Sequence, residues 1–331
     1  MKCVSFFAGV GGIDLGFEQA GFESIYLNDN DSNAIKTLKS NFSCKIDSRS
    51  IREIEPEELP DFDILLAGFP CQAFSIAGHG QGFNDEKGRG NLFFELQRIF
   101  SLKKPEVIFL ENVKNLVSHD KGNTFKVILS ILKKEGYYVK YKVLNSSEYG
   151  NIPQNRERIY IVCFRTKEYY DSFEFPKPIK LTNPISSCLE DENTIQDKYF
   201  YTQKTPFFEK LVEEIKDAKT LYQWRRKYVR SNKSNLCPTL TANMGTGGHN
   251  VPLLNVQGKP NTIRKLTPRE CFNFQGFPQN FILPNIANGQ LYKQAGNSVV
   301  VPVIFRIAKQ IKKAINQGNQ KINSTPQLNL L

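Results

Sequence analysis

The sequence predicts an α/β protein built on a doubly wound, mostly parallel sheet, with a smaller and less regular domain attached. Three observations carry this expectation. Apolar strand-like runs alternate with helix-period segments through the first half of the chain. A glycine-rich turn, Phe7-Ala8-Gly9-Val10-Gly11-Gly12, joins the first strand to the first helix. The alternation then stops at Phe175-Pro176-Lys177-Pro178, and the segment 180–262 is rich in Asn, Thr, Lys and Gly, with short irregular elements expected.

Lys2 to Phe7 reads as a strand and Gly11 to Ala20 as a helix. Phe22 to Leu27 is the second strand, followed by a helix over Asp31 to Asn41 with Asp31 as N-cap. Ser43 to Ile46 and Phe62 to Ala67 give the third and fourth strands, Leu92 to Leu102 a helix, and Glu106 to Leu110 the fifth strand. A helix over Asn123 to Lys134 precedes strands at Tyr137 to Leu144 and Arg158 to Phe164. Regularity returns at Val301 to Ile315, where Pro302 suits a first helical turn and Val303, Ile304, Ile307, Ile311 and Ile315 share one face. The polar tail after Gln317 is expected to fray.

Composition narrows the class. No apolar run approaches the roughly 20 residues of a membrane span, and the N-terminus enters a strand pattern without a signal-peptide layout. The seven cysteines are scattered with no C-x-x-C pair, and the three histidines form no ligand motif, which disfavours disulfide and metal frameworks and fits a reducing cytoplasm. The net charge is +11, and no acidic residue occurs between Asp217 and Glu270, a span holding ten Lys and Arg. A block of one sign this long favours a polyanionic partner over a merely solvated face, and nucleic acid is the natural one. Within it Tyr222, Trp224 and Tyr228 interleave with Arg225, Arg226, Lys227 and Arg230, a pattern for backbone contacts with anchoring aromatics.

Several short motifs fall at strand ends. Gly68-Phe69-Pro70-Cys71-Gln72-Ala73-Phe74-Ser75 follows an apolar strand and opens into Gly78-His79-Gly80-Gln81-Gly82. Cys71 is thereby held at a sheet rim, where open α/β folds bind ligands; an ordinary buried cysteine is the plain alternative. Asp29 ends the second strand, where a carboxylate holds ribose hydroxyls, and Asp47 follows the third, within reach of an adenine amino group. Glu111 ends an apolar strand that should favour its neutral form, although a structural Glu fits as well. Gln154-Asn155-Arg156-Glu157-Arg158 leads into the last strand of this half and reads equally as a surface charge cluster.

Taken in order, F-A-G-V-G-G, G-F-P-C-Q-A-F-S, E-N-V, Q-N-R-E-R, R-K-L-T-P-R-E and G-N-S-V resemble the cytosine-5 DNA methyltransferases of bacterial restriction–modification systems. The resemblance runs from Cys3 to about Ile315 and is weakest across 180–235. It implies a Rossmann-like S-adenosylmethionine-dependent methyltransferase fold, with 1–184 plus 290–331 as catalytic domain and 185–289 as target-recognition domain and hinge. Cys71 would be the nucleophile, Glu111 the partner of cytosine N3, Arg158 a donor to the base carbonyl and Arg156 their support. Phe7, Gly9, Gly11, Gly12, Asp29, Asp47, Pro70, Leu92, Asn297 and Ser298 would form the pocket for S-adenosyl-L-methionine, which leaves as S-adenosyl-L-homocysteine; no metal is implied. Gln72, Ser75, Arg89, Arg225, Arg226, Arg230, Thr239, Thr241 and Arg264 would meet double-stranded DNA. Within that set, Arg264 to Glu270 would also organise the recognition domain, and Pro238 to Ala242 resembles a Thr-Leu patch near the DNA. The glycines between Ser75 and Gly90 read as a lid rather than an ordinary surface loop, given Cys71 at its root, and Gly245 to Asn250 as a recognition loop or a plain hairpin turn.

The chemistry explains the set. Cytosine C5 accepts a methyl group only after a thiolate adds to C6, and that addition needs a proton or hydrogen bond at N3. The base must leave the duplex to be reached. Asp29 stands where glutamate is more usual, Asn30 where an aromatic often stacks, and the loop Asp85 to Asn91 is slightly longer than typical. A tRNA-directed relative and a non-catalytic DNA-binding relative are the alternatives. Phe69 in G-F-P-C and the basic segment speak against the first, and the presence of Cys71, Glu111 and Arg158 against the second. The expected setting is a bacterial cytoplasm, nucleoid-associated, with a monomeric enzyme whose cognate endonuclease reads the same sequence.

Overall fold

The computed structural model describes residues 1–70, 92–225, 228–232, 235–245, 251–256, 258–259 and 262–324. Its first half runs β1 Lys2–Phe6, α1 Gly12–Gln19, β2 Glu23–Asn28, α2 Ser32–Asn41, β3 Lys45–Asp47, β4 Ile64–Ala67, α3 Leu92–Lys103, β5 Val107–Val113, α4 Asn123–Lys134, β6 Tyr138–Asn145, α5 Ser146–Tyr149, β7 Glu157–Phe164 and α6 Lys167–Ser172. There follow α7 Phe208–Glu214, β8 Tyr222–Arg225, β9 Tyr228–Ser231, β10 Leu253–Asn255, β11 Ile263–Lys265, α8 Pro268–Asn273, α9 Asn288–Asn297 and α10 Val301–Ser324. Among the described residues no helix is long and apolar enough to cross a membrane.

The first seven strands form one sheet in the order β3-β2-β1-β4-β5-β7-β6. The chain moves outward from β1 in one direction through β2 and β3, then in the other through β4 and β5, which opens a crevice at the carboxyl ends of β1 and β4. All pairings are parallel up to β5, whereas β7 runs antiparallel to both β5 and β6. Side chains of β5 alternate between two cores: Val107 and Phe109 pack with α1 and α10, Ile108 and Leu110 with α3 and α4. Asp31 caps α2 by accepting from the backbone N–H groups of Asn33 and Ala34, as its position predicts.

Two expectations change. The C-terminal helix does not fray after Gln317 but continues to Ser324, and Gly318 lies directly against the Tyr169 ring of α6. Segment 180–262 is not wholly irregular: with β11 it supplies a four-stranded antiparallel sheet, β11-β10-β8-β9. Tyr222 and Trp224 belong to its core rather than to a DNA-facing surface, with Trp224 stacked on Phe207 at 4.7 Å. Only Tyr228, 56% exposed, faces outward. Strands this short give weak alternation, which is why the sequence suggested only short irregular elements here.

Asp14 on α1 is fully buried, accepts from the Ser5 hydroxyl at 3.2 Å, and has no partner for its other oxygen. Burial pushes its carboxyl up to about 7. Because the folded value lies above the unfolded one of about 3.9, the protonated form is favoured by folding, and stability falls as pH rises through the folded value. Raising pH from about 5 to about 7.5 should cost roughly 2 kcal/mol through this group. Urea unfolding at the two pH values should show that slope in the parent and a flatter one in Asp14→Asn; equal slopes would count against it.

Candidate active site

The carboxyl ends of β1, β2, β4 and β5 border a cavity of about 460 Å³. Phe7, Gly9 and Gly12 line it from the first turn, Asp29 and Asn30 from the end of β2, and Gly68 to Pro70 from the end of β4. Glu111, Asn112 and Val113 come from β5, Arg156 from just before β7, Arg158 from its start, and Gly296 to Val299 from the end of α9.

At one end of the cavity the backbone is shaped for contact. Gly9 takes φ +57°, with no heavy atom within 4 Å of where a Cβ would stand, so its backbone faces open space. Its N–H donates to Asp29 Oδ2 at 2.8 Å, and Asp31 N–H donates to Oδ1 at 2.8 Å. Burial raises the Asp29 carboxyl, while these two amides pull it back toward ionisation. Phe7 is held at φ 54°, a conformation unfavourable for a bulky residue and kept by its surroundings. A Cβ on Gly12 would stand 2.7 Å from Ser298 Oγ, a buried hydroxyl with no protein partner. That orphaned hydroxyl and the acceptors of Asp29 mark this end as a polar cradle for a ligand.

At the other end Glu111 is 8% exposed, with Arg158 Nε 3.2 Å from its Oε1. Val113 faces Arg158 and Glu111 faces Tyr160 across the β5–β7 ladder, so Glu111 and Arg158 are diagonal neighbours on one face. Burial pushes the Glu111 carboxyl up, opposed by the charges of Arg158 and Arg156. Arg158 is further oriented by donating from Nη1 to Glu157 O.

Asn112, present in the E-N-V motif without an assigned role, donates from Nδ2 to Phe69 O at 2.8 Å and accepts from Val113 N–H. It thereby fixes the turn that ends at Pro70, one residue before Cys71. Gln154 is also a buried connector: it donates to Phe274 O and accepts from Leu240 N–H. Lys293 pairs with Asp31 at 2.7 Å on the cavity wall, a contact between α9 and α2 that no local motif could announce.

Some expected site residues stand elsewhere. Asp47 does not line the cavity; its carboxylate takes the Tyr26 hydroxyl at 2.8 Å and the Arg49 guanidinium at 2.7 Å, which lowers it to about 2. Gly11 faces the Phe42 ring, which a Cβ would approach to 2.3 Å, so it serves helix packing rather than the cavity. Leu92 packs on the α3 side of the sheet core. Arg264 is the clearest correction: it is 0% exposed and bound by Glu270 at 2.8 Å and Glu192 at 2.6 Å, leaving no surface for DNA. Glu270 also closes a capping box with Thr267 at the start of α8. Arg225 and Arg230 are exposed on the β8–β9 hairpin, Thr241 is exposed, and Thr239 donates its hydroxyl to Asn155 O at 2.5 Å. Cys71, Gln72, Ser75, Arg89 and Arg226, the lid from Ser75 to Gly90 and most of Gly245 to Asn250 lie outside the described residues.

Removing Arg264 would leave Glu270 buried without its counter-ion. Arg264→Ala should therefore destabilise the fold by about 3–5 kcal/mol in chemical unfolding. A variant of parental stability whose only defect is weaker DNA binding would contradict this assignment.

The chain matches the C-5 cytosine-specific DNA methylase family over residues 1–313. It is 59% identical over 317 residues to the Type II methyltransferase M.Bsp6I of Bacillus sp. (strain RFL6), covering 95% of this chain and 99% of that protein. To the Type II methyltransferase M.HaeII of Haemophilus aegyptius it is 42% identical over 330 residues, covering 100% and 98%. Among solved structures, the S. pombe Dnmt2 methyltransferase superposes with a TM-score of 0.73 at 16% identity, covering 96% of this chain and 99% of that one, a likeness of fold. With the seven-stranded sheet and the cavity at its carboxyl edge, the chain therefore belongs to the C-5 cytosine-specific DNA methylase family and is a DNA cytosine-5 methyltransferase.

Proposed function

We propose that the chain is the site-specific modification enzyme of a restriction–modification system, flipping a cytosine from duplex DNA and methylating its carbon 5 with S-adenosyl-L-methionine. The observation that carries this reading is the buried Glu111–Arg158 pair, 3.2 Å apart, in the same cavity as the Asp29 cradle and Pro70. One end accepts hydroxyls; the other presents a carboxyl and a guanidinium to the edge of a planar base.

For the cofactor, Phe7, Gly9, Gly12, Asp29, Pro70, Asn297 and Ser298 are the residues that would hold it, with the Asp29 carboxylate toward the ribose hydroxyls and the Ser298 hydroxyl free to pair. Bound there, S-adenosylmethionine supplies the methyl group that cytosine C5 accepts. Cys71, directly after the cavity-lining Pro70, adds its sulfur to C6, and the electron pair of the C5–C6 bond moves toward C5 and N3. Glu111 holds or shares a proton at N3 as that charge develops; burial favours the protonated form it needs. Arg158 donates to the base carbonyl and keeps Glu111 in place. Loss of the C5 proton and release of the sulfur then restore the ring.

The exposed Arg225 and Arg230 share one face of the β8–β9 hairpin through the pairings Gln223–Arg230 and Arg225–Tyr228, opposite the face buried through Tyr222 and Trp224. This basic face fits the DNA backbone. Arg225→Ala and Arg230→Ala should each reduce the slope of log affinity against log salt by about 1; unchanged slopes would remove the hairpin from the interface.

The mechanism is tested with a duplex carrying 5-fluorocytosine at the methylated position, together with S-adenosylmethionine. Fluorine blocks the final elimination, so a denaturation-resistant protein–DNA adduct should accumulate in the parent and be missing in Cys71→Ala. An adduct that survives Cys71→Ala sinks the nucleophile assignment.

A further inference from the structure

Arg156 is 2% exposed, and among the described residues no carboxylate lies within ion-pairing distance of it. A buried cation without a counter-ion is costly, and this one is held by main-chain carbonyls alone. Nη1 donates to Leu240 O at 2.7 Å, and Nη2 donates to Gly296 O at 2.9 Å and to Ser298 O. The acceptors come from two places far apart in sequence. Leu240 sits in the Pro238–Ala242 segment, beside the exposed Thr241, whereas Gly296 and Ser298 lie at the end of α9 that lines the cofactor end of the cavity.

The two places touch directly as well. A Cβ on Gly296 would stand 2.2 Å from the carbonyl carbon of Thr241, so only glycine permits this approach. The strip around Arg156 is fastened to the same segment by Cys237 N–H on Pro153 O at 2.6 Å, Asn155 N–H on Cys237 O at 2.8 Å and Leu240 N–H on Gln154 Oε1 at 3.2 Å. Two residues on, Arg158 reaches Glu111. The carbonyls of Gly296 and Ser298 and the carbonyl of Leu240 thus share one guanidinium, so a cofactor that contacts residues 296–298 bears on Leu240 through Arg156.

We infer that Arg156 is a positioning residue that couples cofactor binding to duplex binding, because its guanidinium ties the cofactor-lining residues 296–298 to the Leu240 segment. This rests on the functional reading above. Coupling of this kind is reciprocal: each ligand tightens the other by the same factor. Arg156 lines the cavity but spends its guanidinium on these three carbonyls, so its loss should remove the coupling more than either affinity taken alone.

The test uses S-adenosylhomocysteine and a duplex fragment that bisulfite sequencing shows to be methylated by the enzyme. In the parent, saturating S-adenosylhomocysteine should tighten duplex binding by about tenfold or more. In Arg156→Met that factor should fall to within about twofold of unity, with Arg156→Lys intermediate because it keeps the charge but not the forked donors. Coupling of parental size in Arg156→Met overturns the inference. Should that variant fail to fold, the parent alone decides: S-adenosylhomocysteine without DNA should slow amide hydrogen exchange across 239–242, and unaltered exchange there overturns it equally. A parent that binds neither S-adenosylhomocysteine nor duplex would instead overturn the functional reading, and the inference with it.

Discussion

The candidate site depends on one reversal of strand direction. In a sheet whose strands up to β5 run one way, their carboxyl ends form the rim where a ligand can sit, and their amino ends lie at the far edge. A residue at the start of a strand would ordinarily be excluded from that rim. Because β7 is antiparallel to β5, its beginning lies there instead, and Arg158 arrives beside Glu111 at the end of β5. Glu111 shares the face of Val107 and Phe109, so the carboxyl stands on apolar packing that keeps water away. The pair is thus a product of topology rather than of sequence proximity.

Buried charge in this protein serves two different ends. Arg264 with Glu192 and Glu270 is a closed set, every charge answered, and it locks β11 to the start of α8. The cavity is left incomplete: Glu111 has its one close ion pair, Arg156 has carbonyls only, and the Ser298 hydroxyl has none of these partners. A closed set stabilises its surroundings and has nothing left to offer a ligand. An open set costs stability in the empty protein and recovers it when a ligand supplies the missing partners.

Much of this was legible in the residues. Element order, the Asp31 cap and the strand-end placement of Asp29, Glu111 and Arg158 follow from apolar periodicity and motif spacing. What escaped depends on distant partners. Arg264 reads as a basic residue in a basic block until Glu192 and Glu270 are brought against it. Asp47 differs in that one partner, Arg49, is only two residues on, while the other, Tyr26, is brought to it by the pairing of β2 with β3. Gly11 and Gly12 are neighbours in one motif, yet one faces Phe42 and the other faces Ser298, a distinction set by helix phase and tertiary packing. The second sheet escaped because strands of three or four residues carry too little alternation to separate from loop.

In the proposed mechanism Glu111 and Arg158 act as one unit on the target base. A double-mutant cycle of methyl transfer to duplex DNA tests it most directly, using Glu111→Gln, Arg158→Met and their combination. If the pair is one unit, each single change should cost about 10²-fold or more in kcat/KM, and the double variant should be within about tenfold of the worse single one. Losses that simply multiply would mean two independent contacts, and the account built on β7's reversal would fail at its centre.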